Sequence, residues 1–331
     1  MIVKNEARDI VDCLRSVKDH VDEFVIVDTG STDNTCAVIH STLEDFKGTY
    51  NIFHSQVGME NGKIISFADA RNNALTFVSD KTDYIISLDA DDRILNSEAI
   101  RPACEKAEAI YITVTNEARN YNFKSMRIWN FKRVAKWVGA VHEYLQLSGH
   151  TTADSDILLL HHYGDSPNQE NGTERNLRIM KAEIDSGKAT GRTYFYYGNQ
   201  LREAGRYEEA IQAYETYFTL SVFHDEKCLA YAYRAKAARL ARQFERALAY
   251  AYEGIVFDSR WNETWMEVAY SLYELGRFEE CVAICIAASK NKVPPDTVMF
   301  VEHNLYTEQP GITERFARAG IKNRTSTTDP G

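Results

Sequence analysis

Three carboxylates, Asp89, Asp91 and Asp92, fall within four residues in the run YIISLDADD, directly after an apolar stretch. Carboxylates packed this closely repel one another unless a cation or hydrogen-bond donors compensate them. A hard divalent ion, Mn²⁺ or Mg²⁺, held through one or two carboxylates and completed by phosphate oxygens and water, is the economical compensation. A solvated acidic turn is the alternative. A second acidic strand end stands in FVIVDTGSTDNT, where Asp28 precedes the Gly30-Ser31 turn and Asp33 follows it. Ligands of open α/β sheets sit at the carboxyl ends of strands, which is where Asp28 would lie. Asp28 can also simply terminate its strand, and Asp33 is equally suited to cap a helix starting near Thr35. Two acidic strand ends in neighbouring units would converge on one crevice, and that convergence favours the cation. Further along, VGAVHEYL offers His142 and Glu143, and LLLHHYG offers His161 and His162 on opposite faces of a strand.

The segments that must position these residues alternate in character. FVIVD (24 to 28), YIISLD (84 to 89) and YITVT (111 to 115) read as strands, and ARDIVDCLRSVKDHV and SFADARNNALTFVS read as helices between them. Strand–helix alternation implies βαβ units and a mostly parallel, Rossmann-like sheet. From about 119 to 162 the pattern turns aromatic-rich and irregular, which suits added strands and loops at the sheet edge. From about 172 the strand signals stop and a self-similar unit takes over: GRYEEAIQAY, RQFERALAYAY and GRFEECVAICI. Their aromatics Tyr207, Phe244 and Phe278 are 37 and 34 residues apart, close to the ~34-residue period of tetratricopeptide helix pairs. Small residues recur nine before each aromatic (Gly198, Ala235, Ala269) and three after it (Ala210, Ala247, Cys281), where they let two helices approach. Twelve of the 19 tyrosines lie between 191 and 275, a distribution expected of hairpin packing residues. The expected division is an α/β domain at 1–171, an all-α repeat domain at 172–305, and a polar tail at 306–331.

At 331 residues, two cores are the natural expectation. A net charge of -10 and a pI near 5.5 argue against a surface that wraps nucleic-acid phosphates. No apolar run reaches the ~18 to 20 residues of a membrane span. MIVKNEARD carries charges where a signal peptide needs an apolar stretch, so the expected location is cytoplasmic. The six cysteines are scattered, and only Cys281 and Cys285 are close, on one helix face, which is not a metal-binding spacing.

The ordered series IVKNEA, VDEFVIVDTGSTDNT, FADARNNAL and YIISLDADDRI resembles the family 2 glycosyltransferases of the GT-A fold. Through WVGAVHEYL, HHYG and the repeats, the resemblance extends over about 300 residues to the subgroup that carries tetratricopeptide units. It implies a nucleotide-sugar donor, a divalent metal, and a glycan, lipid-linked glycan, peptide or protein acceptor. Residue by residue, it implies that Asp28 lies near the nucleotide base, with the backbone at Val3 and Asn5 lining the same pocket and Glu6 facing the nucleotide. Asp89 and Asp91 match the Asp-X-Asp motif, the first near the ribose and the second on the metal. Arg71 suits the nucleotide or its diphosphate, because a guanidinium pairs with phosphate in a planar fork. A surface ion pair with Asp69 or Asp83 is its bland alternative. Glu143 resembles the base that an inverting transfer needs, or else it is a structural carboxylate orienting His142. His162 resembles a histidine that completes metal coordination in some relatives, or else it is a core histidine. Met1 falls almost inside the first strand, so a short strand and a less complete edge of the nucleotide pocket are expected.

Two other classes compete. A sugar nucleotidyltransferase would carry a Gly-rich basic phosphate loop where this chain has VKNEARD, with no glycine. An interaction scaffold with an inactive front domain would not need Asp89 and Asp91. The repeats are expected to hold an acceptor, to mediate self-association, or to brace the catalytic sheet.

Overall fold

The computed structural model describes residues 1–116, 121–133, 135–161 and 171–327. The chain divides into two compact units at Gly172.

The first unit opens with β1 (Ile2–Val3), α1 (Ile10–Val17), β2 (Glu23–Asp28), α2 (Thr35–Thr42) and β3 (Thr49–His54). These strands pair in parallel in the order β1-β2-β3, as alternating strands and helices require. A small hairpin, β4 (Met59–Glu60) and β5 (Lys63–Ile64), leads into α3 (Phe67–Leu75), whose first turn is capped by the Ser66 hydroxyl accepting from Asp69 N at 3.0 Å. Then come β6 (Tyr84–Ile86), β7 (Asp92–Ile94), α4 (Ile100–Cys104), β8 (Ala109–Asn116), β9 (Tyr121–Asn130), β10 (Ala135–Val138), β11 (Tyr144–Leu147) and β12 (Thr152–His161). A five-stranded sheet runs β6-β9-β8-β12-β7; its β8–β12 pair is parallel, and β7 and β9 are antiparallel insertions. β10 and β11 form a separate antiparallel pair. The irregular region expected from 119 to 162 is therefore mostly strand.

The core of this unit gathers one face of α1 (Ile10, Cys13, Leu14, Val17) with Ile26, Ile39, Ile110, Ile112 and Leu159, all essentially inaccessible. The stretch read as a strand from 84 to 89 is strand only to Ile86. Ser87 to Asp91 turn out of the sheet, and the chain re-enters it at Asp92 as β7. A cleft of about 780 Å³ lies between β1–β2 and β6, reaching Asp22, Thr82 and Asp83 at the ends of the strands opposite to the acidic residues. Its inner wall includes Arg71, Leu88 and Trp137, next to the turn that carries Asp89 and Asp91.

The second unit is helical: α5 (Gly172–Asp185), α6 (Gly191–Glu203), α7 (Tyr207–Leu220), α8 (His224–Leu240), α9 (Phe244–Phe257), α10 (Asn262–Glu274), α11 (Phe278–Ala288) and α12 (Gln309–Thr327). Helices α6/α7, α8/α9 and α10/α11 are the three hairpins implied by the repeat. The small residues sit at their crossings. A Cβ on Gly198 would come within 2.7 Å of the Tyr214 ring, and Ala210, Ala235, Ala247, Ala269 and Cys281 are fully buried. Tyr214 and Tyr217 are likewise packing residues with no exposed surface. The stretch read as a tail from 306 onward differs from expectation, being helical from Gln309 to Thr327. Polar composition hid a narrow apolar stripe in which Ala317 is buried and Ile321 packs on the α10–α11 core.

Candidate active site

Two loops form a cradle at the carboxyl ends of β1 and β2. Thr29 donates its backbone N–H and its hydroxyl to the Val3 carbonyl, at 3.0 and 3.1 Å. Asn5, held in the left-handed region at φ 58°, accepts from Thr32 N at 2.7 Å through Oδ1 and donates its own N–H to Ser31 Oγ at 3.0 Å. Glu6 donates its N–H to Thr35 Oγ1 at 2.8 Å. Asp33 accepts from Thr35 N at 3.0 Å and Ala7 N at 3.3 Å, so it organises the helix start and joins the two loops. Asp28 is almost wholly buried. Its Oδ1 accepts from the Ser31 N–H and hydroxyl at 2.9 and 2.6 Å, and its Oδ2 meets His54 Nδ1 at 3.1 Å. Gly30, at φ 107°, makes the turn that allows this wrap.

The second cluster forms where α3, the β6–β7 turn and the β10–β11 loop meet. Arg71, on the buried face of α3, donates from Nη2 to Asp89 Oδ1 and from Nε to Glu143 Oε1, both at 2.6 Å. It is the hub of the site and not a surface partner of Asp69 or Asp83. Its neighbour Asn72 fixes the geometry by donating to the Trp137 carbonyl at 2.9 Å and accepting from Trp137 N at 2.8 Å, which clamps β10 to α3. Phe67 N donates to Ala140 O at 2.8 Å, holding the loop that carries Glu143. In that loop His142 adopts φ 53°, a conformation that costs energy in a non-glycine residue and concentrates at functional sites. Arg127 reaches the same carboxylates, 3.4 Å from Asp89 Oδ2 and 3.8 Å from Asp92 Oδ2. Its place follows from register: Ile86 pairs with Ile128, so Arg127 lies beside Ser87, where the acidic turn begins.

The three carboxylates have different environments. Burial opposes the Asp89 anion, but Arg71 and Arg127 outweigh it and hold this group well below the usual carboxylate range. Asp92 is completely buried; its Oδ2 accepts from Asp89 N at 2.8 Å and its Oδ1 meets His161 Nδ1 at 2.7 Å. Among the described residues no guanidinium pairs with Asp91, and burial, with the charges of Asp89 and Asp92 adding to it and His161 opposing it, raises it to about 6. For His161, burial works against the cation, but the Asp92 hydrogen bond and the surrounding carboxylates leave it raised.

Asp91, Asp92 and His161 bring potential ligand atoms within 4.8 Å of one another. Asp91 Oδ2 and His161 Nε2 are 3.8 Å apart, a separation between the adjacent (about 3 Å) and opposite (about 4.2 Å) positions of an octahedron with ~2.1 Å bonds. A carboxylate on the far nitrogen, here Asp92 on Nδ1, is the usual support of a metal-binding imidazole. With His161 neutral, as a metal ligand must be, the carboxylates of Asp89, Asp91, Asp92 and Glu143 exceed the two guanidiniums by two charges, which a divalent cation would balance. The donor set therefore fits a hard metal.

The structure brings Val3, Asn5, Glu6 and Asp28 into one cradle, and Arg71, Asp89, Asp91 and Glu143 into one cluster. His162 lies outside the described residues; His161 is the histidine placed beside Asp91. The roles of Asp92, Arg127 and Asn72 were not assigned from sequence. A charge inside the strand MRIWN was the available signal for Arg127, and a three-residue strand gave none for Asp92.

Residues 1–138 match the family described as glycosyl transferase family 2. The front unit thus carries a family 2 glycosyl transferase domain, followed by a helical unit that resembles tetratricopeptide repeats. The chain is 25% identical over 224 residues to the SPbeta prophage-derived glycosyltransferase SunS of Bacillus subtilis, a match spanning 64% of this chain and 50% of SunS. It is 34% identical over 119 residues to a TPR repeat-containing protein of Synechococcus elongatus, spanning 35% of this chain and 26% of that one. A solved structure of the Sgt2 TPR domain from Aspergillus fumigatus aligns at 14% identity and a TM-score of 0.36, covering 43% of this chain and 85% of that domain. The chain spans about half the length of SunS and about a quarter of the cyanobacterial protein. Among the described residues, no helix is long and apolar enough to cross a membrane.

Proposed function

We propose that this protein is a metal-dependent, inverting glycosyltransferase that moves a sugar from a nucleotide-sugar to a glycan, lipid-linked or polypeptide acceptor. The observation that carries the reading is the Arg71 fork, which joins the Asp-X-Asp turn to Glu143 in a single buried cluster within a family 2 domain. In this reading the nucleoside rests on the cradle of Val3, Asn5, Glu6 and Asp28, with Asp89 toward the ribose. Asp91 and His161 hold a Mn²⁺ or Mg²⁺ ion, with Asp92 fixing the His161 ring; His162 remains a second candidate ligand. Such an ion, when bound, neutralises the charge that builds on the departing nucleoside diphosphate.

The chain's own groups do the rest. Arg71 exchanges its fork on Asp89 and Glu143 for the donor diphosphate, with which a guanidinium makes a bidentate pair. That exchange releases Glu143 Oε1, which takes the acceptor's proton as the acceptor attacks the anomeric carbon. A single displacement turns that carbon over. The loop from Gly139 to Glu143, held on α3 by Asn72 and Phe67, keeps the base in place.

The test is a screen of nucleotide-sugars for release of nucleoside diphosphate in Mn²⁺ or Mg²⁺, repeated in excess chelator. Release from at least one donor that stops with chelator is expected. Full turnover in chelator would remove the metal from the reading, and absence of turnover and binding for every donor would favour the interaction scaffold.

A further inference from the structure

In the repeat unit, α11 ends at Ala288 and α12 begins at Gln309, so 20 residues connect two helices that pack against each other. Such neighbours are normally joined by about 2–8 residues. The excess length here crosses α8 and α10, the first helices of consecutive pairs, which in a stack of hairpins share one side of the array. Thr297 Oγ1 donates to Asp225 Oδ2 at 2.6 Å at the start of α8. Met299 and Val301 are buried in the core that includes Phe195, Leu229 and Trp261, and the residues beside them, Val298 and Phe300, are exposed. Glu302 lies 3.6 Å from Lys236 Nζ on α8, and its N–H donates to Glu263 Oε1 on α10 at 3.3 Å. The alternation of buried and exposed side chains is that of an extended ligand in a groove, not that of a helix connection.

The crossing has a firm end and a light one. At the firm end Asn262 Nδ2 donates to the Leu305 carbonyl at 2.8 Å, and the Tyr306 hydroxyl donates to Glu263 Oε2 at 2.7 Å and accepts from Asn262 N at 3.1 Å, with both Leu305 and Tyr306 buried. Along 297–302 the contacts with α8 and α10 include two buried apolar side chains, one ion pair and two hydrogen bonds. Fixing six residues costs conformational entropy of the same order as burial of two side chains returns, so this stretch can open while its anchor stays.

We infer that residues 297–302 are an intramolecular ligand that fills a peptide groove on α8 and α10. The groove's external partner is an extended polypeptide carrying the same pattern, two apolar side chains two apart and an acidic residue after the second. The two apolar seats are those of Met299 and Val301, and Lys236 reads the acid. Because the tethered stretch is present at high effective concentration, a partner's apparent affinity is reduced by the fraction of chains in which the stretch is closed. This inference rests on the repeat unit alone and does not depend on the donor site.

The probe is a fluorescent peptide with the sequence of residues 293–306, titrated by anisotropy into the full chain and into the double variant Met299→Asp, Val301→Asp. The opened chain should bind it at least about tenfold more tightly than the wild type, and the same peptide with both aspartates should not bind. A variant that keeps its helical circular dichroism yet binds no more tightly than wild type overturns the inference. Should the double variant lose its helical signal, Glu302→Lys serves in its place, because it reverses the contact with Lys236 and leaves both apolar seats filled. It should also bind the native peptide several-fold more tightly than the wild type, and equal affinity overturns the inference.

Discussion

Asp91→Asn tests the charge arrangement without any substrate. Asp91 is raised to about 6, chiefly by burial, with Asp89 and Asp92 adding to that effect and His161 opposing it. A carboxyl raised in the folded state contributes stability that is fully present below its unfolded pKa near 3.9 and is lost as the pH rises through about 6. A shift of about two pH units corresponds to roughly 3 kcal/mol. The Asp91 side chain is 28% exposed, and solvent screening reduces the figure to about 1–2 kcal/mol. Asparagine has the same shape and cannot ionise. In chelator, Asp91→Asn should therefore exceed the wild type by only about 0.3–0.6 kcal/mol near pH 4.5, where the unfolded carboxyl is already largely ionised and the folded one is not, and by about 1–2 kcal/mol at pH 7.5. That is about 3–6 °C in the melting of a unit this size. Adding Mn²⁺ at pH 7.5 should reverse the order, because at 100 times its Kd a bound ion stabilises the wild type by about 2.7 kcal/mol and has lost a ligand in the variant. Scanning calorimetry from pH 4.5 to 7.5, with and without Mn²⁺, reads all four values. A variant less stable than wild type in chelator at pH 7.5, or a difference independent of pH, would mean that Asp91 is not held raised by burial among charged neighbours.

Three further outcomes follow from the geometry. Arg71→Ala leaves Asp89 and Glu143 without their shared guanidinium and should destabilise the front unit by about 3–5 kcal/mol in urea unfolding; Arg71→Lys, which cannot fork, should recover only part of this. Asn72→Ala removes both hydrogen bonds that clamp β10 and should lower kcat with little change in donor affinity, since the nucleoside cradle is untouched; steady-state kinetics with titration calorimetry separates the two. Gly198→Ala drives a methyl to within 2.7 Å of the Tyr214 ring and should cost about 1–3 kcal/mol in the helical unit, read by circular dichroism melting.

The fold was legible wherever periodicity was clean. FVIVD, YITVT, the βαβ alternation and the three repeats all have strong signals, and the small residues at repeat crossings identified themselves by spacing alone. The carboxylates at 89 and 91 were legible because their crowding demands compensation. His161 was not distinguishable from His162, because ILLL before them is apolar on both faces and so marks neither position for a ligand. β12 in addition shifts register between Asp154 and Leu158. Asp92 looked like one more turn acid, because its role depends on a three-residue strand whose partner, His161, is 69 residues away. Arg71 gave no sign that it would join two carboxylates, since that depends on Asn72 clamping β10 and bringing Glu143 back to α3. The α12 helix was missed because a stripe of one alanine and one isoleucine is too sparse for periodicity to register.

Whether Glu143 is the base of a sugar transfer is read most directly by single-turnover transfer by Glu143→Gln alongside its donor affinity. Donor binding should stay within about twofold of wild type while the transfer rate falls by about 10²–10⁴-fold, the contribution of a positioned base. A variant that transfers sugar at the wild-type rate, or that loses donor affinity in proportion to rate, would contradict it.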